Sequence, residues 1–402
     1  MKLKILRTVA MWIALSLALQ LGMYAFLNHK INAMMDPKQQ IVTKTIEADI
    51  PDANLENVQI SYEKDYLAYT VDGVFKVYNL TQKKVVFTKE AADGSTDDMG
   101  ILDYYWLPDR DTLIYFYAKK NPNPYTMVVV QPAKAPVVDT EDPNAEDRGT
   151  PPPAEPVYEK RANNPQITEL NTLQLPESSD ENAEPEDRYN ITIDDFPAGG
   201  QIQKIVASTF TNLIYLTVKT SVGGLQLLEI DVMKTTRYLH KSGETITNMA
   251  ASDLYGTLYI ESKTGNTKQI FALSGLERQV VSTDVKDYIL GDRAGKIYVG
   301  RVENDYLIKI EIGNDRTEIK QTVGLSPLWQ GRIPFKDQRI ILGSLGEVII
   351  YNDDRAYVIT GGEEKEIPLT GERAIISGDG AELIQIIAEN ENTKLKLEPF
   401  NR

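Results

Sequence analysis

The chain has 402 residues, 42% of them hydrophobic, with 43 basic and 58 acidic side chains, two histidines and no cysteine. That length can bury at least one large core, while the lack of cysteine removes disulfides, thiolate metal sites, cysteine nucleophiles and a lipid-modified N-terminal cysteine. Beyond residue 7 the balance is 40 basic against 58 acidic residues, a net charge of −18, which makes nucleic acid and anionic lipid poor partners for that part.

Residues 1–7 carry Lys2, Lys4 and Arg7 and no acid, and residues 8–27 follow as 20 residues without a charge. Such a run spans a hydrocarbon core of roughly 30 Å as a helix, and the positive-inside rule leaves 1–7 as a cytoplasmic tail. The rival is a cleaved signal peptide, but its apolar region runs to only about 7–15 residues and ends in small residues. Here the run closes on Tyr24, Phe26 and Leu27, which suits a retained, single-pass signal anchor. Ala10, Ala14, Ala18 and Gly22 recur every four residues, so they share one helix face. A small-residue stripe lets a second helix approach closely, and Gln20 can add an interhelical hydrogen bond; the alternative is the ordinary abundance of alanine in such helices.

Residues 28–40 read as a juxtamembrane linker, and 41–402 as an extracytoplasmic all-β domain. Short runs rich in β-branched and aromatic residues, broken by Gly, Asn, Asp and Pro, replace the helical period: YLAYTV (66–71), TLIYFYA (112–118), NLIYLTV (212–218), TLYIES (257–262), KIYVGRV (296–302), RIILGS (339–344) and ELIQIIA (382–388). One matched position per run, at Tyr69, Tyr115, Tyr215, Tyr259, Tyr298, Ile341 and Ile384, gives intervals of 46, 100, 44, 39, 43 and 43 residues. Apart from one gap these match the roughly 40–50 residues of a four-stranded propeller blade. The gap contains eight prolines and seven acids between 132 and 165, read as a disordered acidic insertion, and a second acidic stretch at 177–187.

The fold class predicted is therefore a β-propeller, seven blades of four antiparallel strands, with six blades or a sandwich joined to a smaller propeller as rivals. After Ile384 only one strand's length of chain is left, so the last blade lacks its outermost strand. The run IVTKTIEADI (41–50) is expected to fill that place and close the ring.

Trp106-Leu-Pro-Asp109-Arg-Asp-Thr-Leu-Ile-Tyr115 resembles the W-S-P-D-G-x-x-L-A-Y repeat of TolB-like and WD-like propellers. Residues 61–69 and 377–383 resemble weaker copies. Arg110 stands where the repeat has glycine, and the middle blades lack the aspartate. The resemblance implies the fold; members of that broad group bind proteins, carry attached hydrolase domains or act as assembly platforms.

Catalytic constellations are scarce. His29 follows the membrane helix and His240 sits in a loop, which is no two-histidine site. There is no nucleophile elbow, P-loop, Rossmann fingerprint or EF-hand, so no catalytic residue, cofactor or metal site is assigned. Carboxylates at turns, Asp109, Asp194, Asp195, Asp353, Asp354 and Asp379, keep an extracellular glycan hydrolase or lyase open as the alternative. Aspartate in a turn is, however, ordinary hairpin chemistry. The innermost stretches converge on no common polar set, which favours binding over catalysis. Tyr104, Tyr105 and Trp106 form the strongest aromatic cluster and are the candidate binding surface, with core packing of the second blade as the competing role. The function expected is a non-catalytic scaffold in a bacterial cell envelope. It is anchored by one helix and binds a protein or envelope partner, in part through that helix.

Overall fold

A strand with a period of two has two dissimilar faces, and both need cover when strands stack radially, which explains why these runs are apolar on nearly every residue. The computed structural model describes Gln20 and residues 45–91, 99–131, 156–221, 223–315, 323–389 and 392–400. It forms seven four-stranded antiparallel sheets and one two-stranded sheet.

Taken from the innermost strand outwards, blade 1 is Glu56–Ile60, Tyr66–Val71, Val74–Asn79 and Lys84–Lys89. Blade 2 is Ile101–Trp106, Thr112–Lys120, Gln166–Gln174 and Glu186–Thr192. Blade 3 is Gln201–Ser208, Leu213–Lys219, Leu225–Ile230 and Thr236–Tyr238, and blade 4 is Thr245–Ala251, Leu258–Thr264, Thr267–Ser274 and Glu277–Ser282. Blade 5 is Asp287–Arg293, Lys296–Glu303, Tyr306–Asn314 and Leu325–Pro334. Blade 6 is Arg339–Leu342, Val348–Tyr351, Arg355–Thr360 and Glu363–Pro368. Blade 7 is Arg373–Ile376, Glu382–Glu389 and Asn392–Pro399, completed on the outside by Ile46–Ile50.

The packing shows that the ring is closed. Seven apolar clusters lie between the blades, one at each boundary, including one between blades 7 and 1. An open arc of seven blades would have six. The cluster between blades 7 and 1 joins Ala48 and Ile50 to Leu67, Tyr69, Ile384, Ile386, Leu395 and Leu397. Burying side chains of this size contributes about 1.5–3 kcal/mol each. Several second-strand tyrosines are fully buried yet satisfied through their hydroxyls: Tyr69 donates to Asp52 (2.7 Å), Tyr115 to Asp187 (2.8 Å) and Tyr259 to Asp315 (2.7 Å). Burial first, and then the carboxylate partner, pushes the Tyr69 and Tyr115 phenols well above their usual range.

Two expectations need correction. Ile341 lies on the innermost strand of blade 6, whereas the other six matched positions lie on second strands. The two short strands Arg339–Leu342 and Val348–Tyr351 are alike in composition, and the first was taken for the second. The stretch 132–165 is not wholly irregular, because Val157–Ala162 is a strand paired with Tyr125–Gln131. Residues 177–187 likewise run into the outer strand of blade 2, which starts at Glu186. The carbonyl of Ser178 accepts bonds from the amides of Asn79 and Gln82, tying that acidic stretch to blade 1.

Candidate functional site

The turns between first and second strands build one face of the ring. Ser208 ends its innermost strand and Ser61, Ser252 and Ser377 directly follow theirs; all four are buried and accept turn N–H bonds on Oγ, from Thr211, Tyr66, Tyr255 and Glu382 among others. Neighbouring turns are then clasped together. Asp111 accepts from the Glu63 amide (2.8 Å), Asp253 accepts from the Ala294 amide (3.0 Å), and the Asp379 carbonyl accepts from the Ser344 amide (2.8 Å). The Lys64 ammonium reaches Asp379 at 2.5 Å, linking blades 1 and 7. In the Trp106–Tyr115 segment the blade-to-blade contact is thus made by Asp111, while Asp109 pairs with its neighbour Arg110.

Four residues before each turn's first bonded residue stands a polar side chain: Asn57, Asp103, Lys204, Asn248, Arg339 and Arg373. In blade 5 the corresponding residue is Tyr288, which pairs with Gly300 as Asn248 pairs with Glu261. This shared polar position corrects the expectation that the innermost strands have no polar set in common. Several of these side chains reach into the next blade. Lys204 donates to Asn248 (2.5 Å), Asn248 to the Ile289 carbonyl (2.8 Å) and Arg373 to the Leu55 carbonyl (2.9 Å). Arg339 binds Asp353 (2.6 Å), which also accepts from the Ala374 amide (3.0 Å). Burial pushes the Asp103 carboxyl up to about 6 and the Lys204 amine down.

Arg339 and Arg373 of this collar help to line a cavity of about 500 Å³ bounded by residues of blades 1, 2, 5, 6 and 7. Its charged lining is Lys64, Arg293, Arg339, Arg373 and Asp379, and its aromatic walls are Tyr62, Tyr105, Trp106 and Tyr351. A second cavity of about 230 Å³ shares Tyr105, Arg293, Ile341 and Gly378 with the first and extends towards Lys204 and Asp292.

The turn carboxylates do not gather at one point. Asp379 lines the cavity in its pair with Lys64, Asp353 holds Arg339, and Asp109, Asp194, Asp195 and Asp354 sit in separate turns or loops. Asp292 is pushed up to about 8 by burial and then by Asp315 and Asp253. An acid with a raised folded pKa stays protonated in the fold while the unfolded chain ionises, so stability falls as pH rises from about 4 to about 8. Asp292→Asn removes that slope, and denaturant unfolding at pH 8 should find the variant more stable than the parent by several kcal/mol, with the gain gone at pH 4.

The aromatic triplet divides. Tyr104 is buried, its hydroxyl donating to the Asn57 carbonyl and its ring 4.7 Å from Phe75, and Trp106 is buried with Nε1 donating to the Gln59 carbonyl (3.3 Å). Tyr105 is half-buried against both cavities; burial raises its phenol pKa, with the Arg293 guanidinium pulling the other way. Of the proposed membrane-helix residues, Gln20 is helical and exposed, while Ala10, Ala14, Ala18 and Gly22 lie outside the described residues. Among the described residues no helix is long and apolar enough to cross a membrane. His240 is half-buried beside Tyr238, and His29 lies outside the described residues.

One surface escaped the sequence reading. Tyr125–Gln131 and Val157–Ala162 prolong the middle hairpin of blade 2 as a two-stranded arm, joined by bonds from the Asn121 amide to the Pro165 carbonyl (2.9 Å) and from the Asn163 amide to the Pro124 carbonyl (3.0 Å). Met127 pairs with Lys160 and Val129 with Tyr158, so Tyr125, Met127, Val129 and Tyr158 share one face. These four are 47%, 54%, 47% and 54% exposed, and the Lys160 ammonium covers the Tyr125 ring at 3.4 Å. The opposite face carries Thr126, Arg161, Glu159 and Val128, and Val130, 42% exposed, follows on the same side.

Compared by sequence, the chain matches no protein-family model and no curated protein. Its backbone is similar to the Dos1 propeller, at 11% identity over 86% of this chain and 78% of that one, with a TM-score of 0.45. It is similar as well to the β-propeller domain of Cps50 (Swd1) from Myceliophteria thermophila, at 9% identity over 88% and 99% of the two chains, with a TM-score of 0.47. A chain of a nidogen/laminin complex matches 54% of this chain and 81% of its own length at 13% identity, with a TM-score of 0.38. Likenesses this distant carry no argument about partners, and the propeller fold rests on the seven sheets and seven interfaces themselves.

Proposed function

We propose that the chain is a non-catalytic scaffold, anchored in a bacterial cell membrane by residues 8–27 with the propeller outside the cytoplasm, and that it binds a protein through the arm of blade 2. The observation that carries this reading is the arm's exposed apolar stripe of Tyr125, Met127, Val129 and Tyr158. A two-stranded ribbon alone in water is marginal, and among the described residues this one keeps an apolar stripe in solvent and two strand edges without a paired strand. An extended segment of a partner that adds as a third strand satisfies the edge and covers Tyr125, Met127 and Tyr158. The anchor rests on the uncharged 20-residue run and its basic flank. The repeat's resemblance to TolB-like and WD-like propellers agrees with a binding platform.

Because the chain has no cysteine, single cysteines report on both parts of this reading. In intact cells a membrane-impermeant maleimide should label Arg161→Cys and spare Met127→Cys, which labels fully once the protein is purified. Labelling of neither variant before lysis would reject the outward topology. Equal labelling of both in cells would reject the docked arm.

A further inference from the structure

The larger cavity holds more positive charge than its own carboxylates neutralise. Of the four cations lining it, Lys64 is held by Asp379 at 2.5 Å and Arg339 by Asp353 at 2.6 Å. Arg373 spends one N–H on the Leu55 carbonyl and makes no ion pair among the described residues. Arg293 has neither a hydrogen bond nor an ion pair to a described residue. Two guanidinium groups thus face one half-open space without a direct carboxylate contact among the described residues, Asp353 acting on Arg373 only at longer range, in a chain whose net charge is −15. An acidic protein gains nothing in solubility from concentrating bare positive charge in one cavity, and low-dielectric walls focus the resulting field there.

We infer that this cavity is a binding site for a small organic oxyanion, a carboxylate or phosphate on a short stem. Guanidinium presents paired N–H donors matching the two oxygens of such a group, which makes arginine the side chain suited to it. Tyr105, Trp106 and Tyr351 supply flat apolar walls for the stem, and the Arg339 guanidinium is already stacked 4.7 Å from the Tyr351 ring. A space of about 500 Å³ suits a ligand of metabolite or dipeptide size. Ser61 and Ser377 are turned to their own turn amides, so specificity at the charged end falls to Arg293 and Arg373. The inference does not depend on the arm or on any protein partner.

Isothermal calorimetry on the full chain in detergent tests it with three probes: an N-acetylated glutamyl dipeptide, its uncharged glutaminyl counterpart, and glycerol 3-phosphate. Saturable binding of either anion is expected, weakening as salt is raised, with the neutral counterpart at least tenfold weaker. Which anion binds more tightly distinguishes a carboxylate from a phosphate ligand. Arg293→Gln should weaken the anion at least tenfold while leaving the unfolding midpoint unchanged, since the side chain supports no described contact. Arg373→Gln should weaken it too, with a lower midpoint because the Leu55 carbonyl loses its donor. The inference is overturned if neither anion binds, if the neutral dipeptide binds as well as the charged one, or if Arg293→Gln leaves the affinity unchanged.

Discussion

A chain that begins after Ile50 should lose most of its stability although it keeps the other 29 strands among the described residues, 27 in the ring and two in the arm. Ile46–Ile50 pairs with the third strand of blade 7 over five residue pairs and places Ala48 and Ile50, at 4% and 0% exposure, into the cluster between blades 7 and 1. Truncating one buried isoleucine to alanine costs about 2–5 kcal/mol. Losing the strand removes that side chain and its ladder together, against a total of about 5–15 kcal/mol for an ordinary domain. The edge it uncovers, Thr393 to Leu397, would then be open to a second chain. Far-UV circular dichroism in urea should show a broad transition at much lower denaturant than the parent, and light scattering should show association. Ile50→Asp should reproduce the loss in the full-length chain by burying a charge at the same place. A truncated chain with the parent's midpoint would mean that blade 7 does not need its fourth strand. Asp52 would survive this truncation, with its bonds from Tyr69, Lys76 and the Thr393 hydroxyl, so the effect reports the strand and not the linker behind it.

That closing strand was legible because chain-end arithmetic is blunt: a last blade with three strands needs a fourth from elsewhere, and only 41–50 had the composition. The blade count was legible for a similar reason. Tyrosines on second strands recur because each fills the space between two blades, so their spacing measures the blade itself. Blade 6 broke the rhythm by a strand and left the count unchanged, since Arg339–Leu342 and Val348–Tyr351 are both four residues long and equally apolar. The arm was missed because composition was weighed over the whole of 132–165, and a ribbon exposed on both faces has no buried side to reveal it. The polar collar was hidden twice over. Its members are Asn, Asp, Lys, Tyr and Arg, which share no letter, and bulges between Ile101 and Asp103, Ile202 and Lys204, and Ile246 and Asn248 shift their phase. Ser208 and Ser252 do what Ser61 and Ser377 do, but without the aspartate that drew attention to the latter turn. Ser208 stands five and Ser252 six residues ahead of a second strand, and a search for serine at that spacing would have found them.

Arg278→Met should be strongly destabilising for a single substitution in an outer strand, and its pH dependence should have the opposite sign to the parent's. Glu244 and Arg278 are 3% and 7% exposed at the side chain and meet through two bonds, at 2.5 and 2.9 Å. The Ser262 hydroxyl and the Lys241 amide also donate to the carboxylate, and Arg278 donates to the Leu239 carbonyl at 2.6 Å. Burial pushes the Glu244 carboxyl upwards, but the guanidinium and the two other donors prevail and hold it below its ordinary value of 4.5. A depressed folded pKa contributes stability that is fully present above about 4.5 and lost as pH falls through the folded value. Without Arg278 the burial effect is opposed only by the Ser262 and Lys241 donors, the carboxyl moves up, and the variant should gain stability on acidification where the parent loses it. At pH 7 an unpaired buried carboxylate costs about 3–5 kcal/mol, and at pH 4, where it can be neutral, much less. Urea unfolding of both proteins at pH 4, 5.5 and 7 decides the matter: parallel pH profiles would show that Glu244 does not depend on its arginine. The double substitution Glu244→Gln with Arg278→Met separates charge from shape. If it recovers stability relative to Arg278→Met at pH 7, the loss lay in the stranded charge; if it does not, the guanidinium acts chiefly as the donor that fastens Leu239 in the crossing from blade 3 to the fourth strand of blade 4.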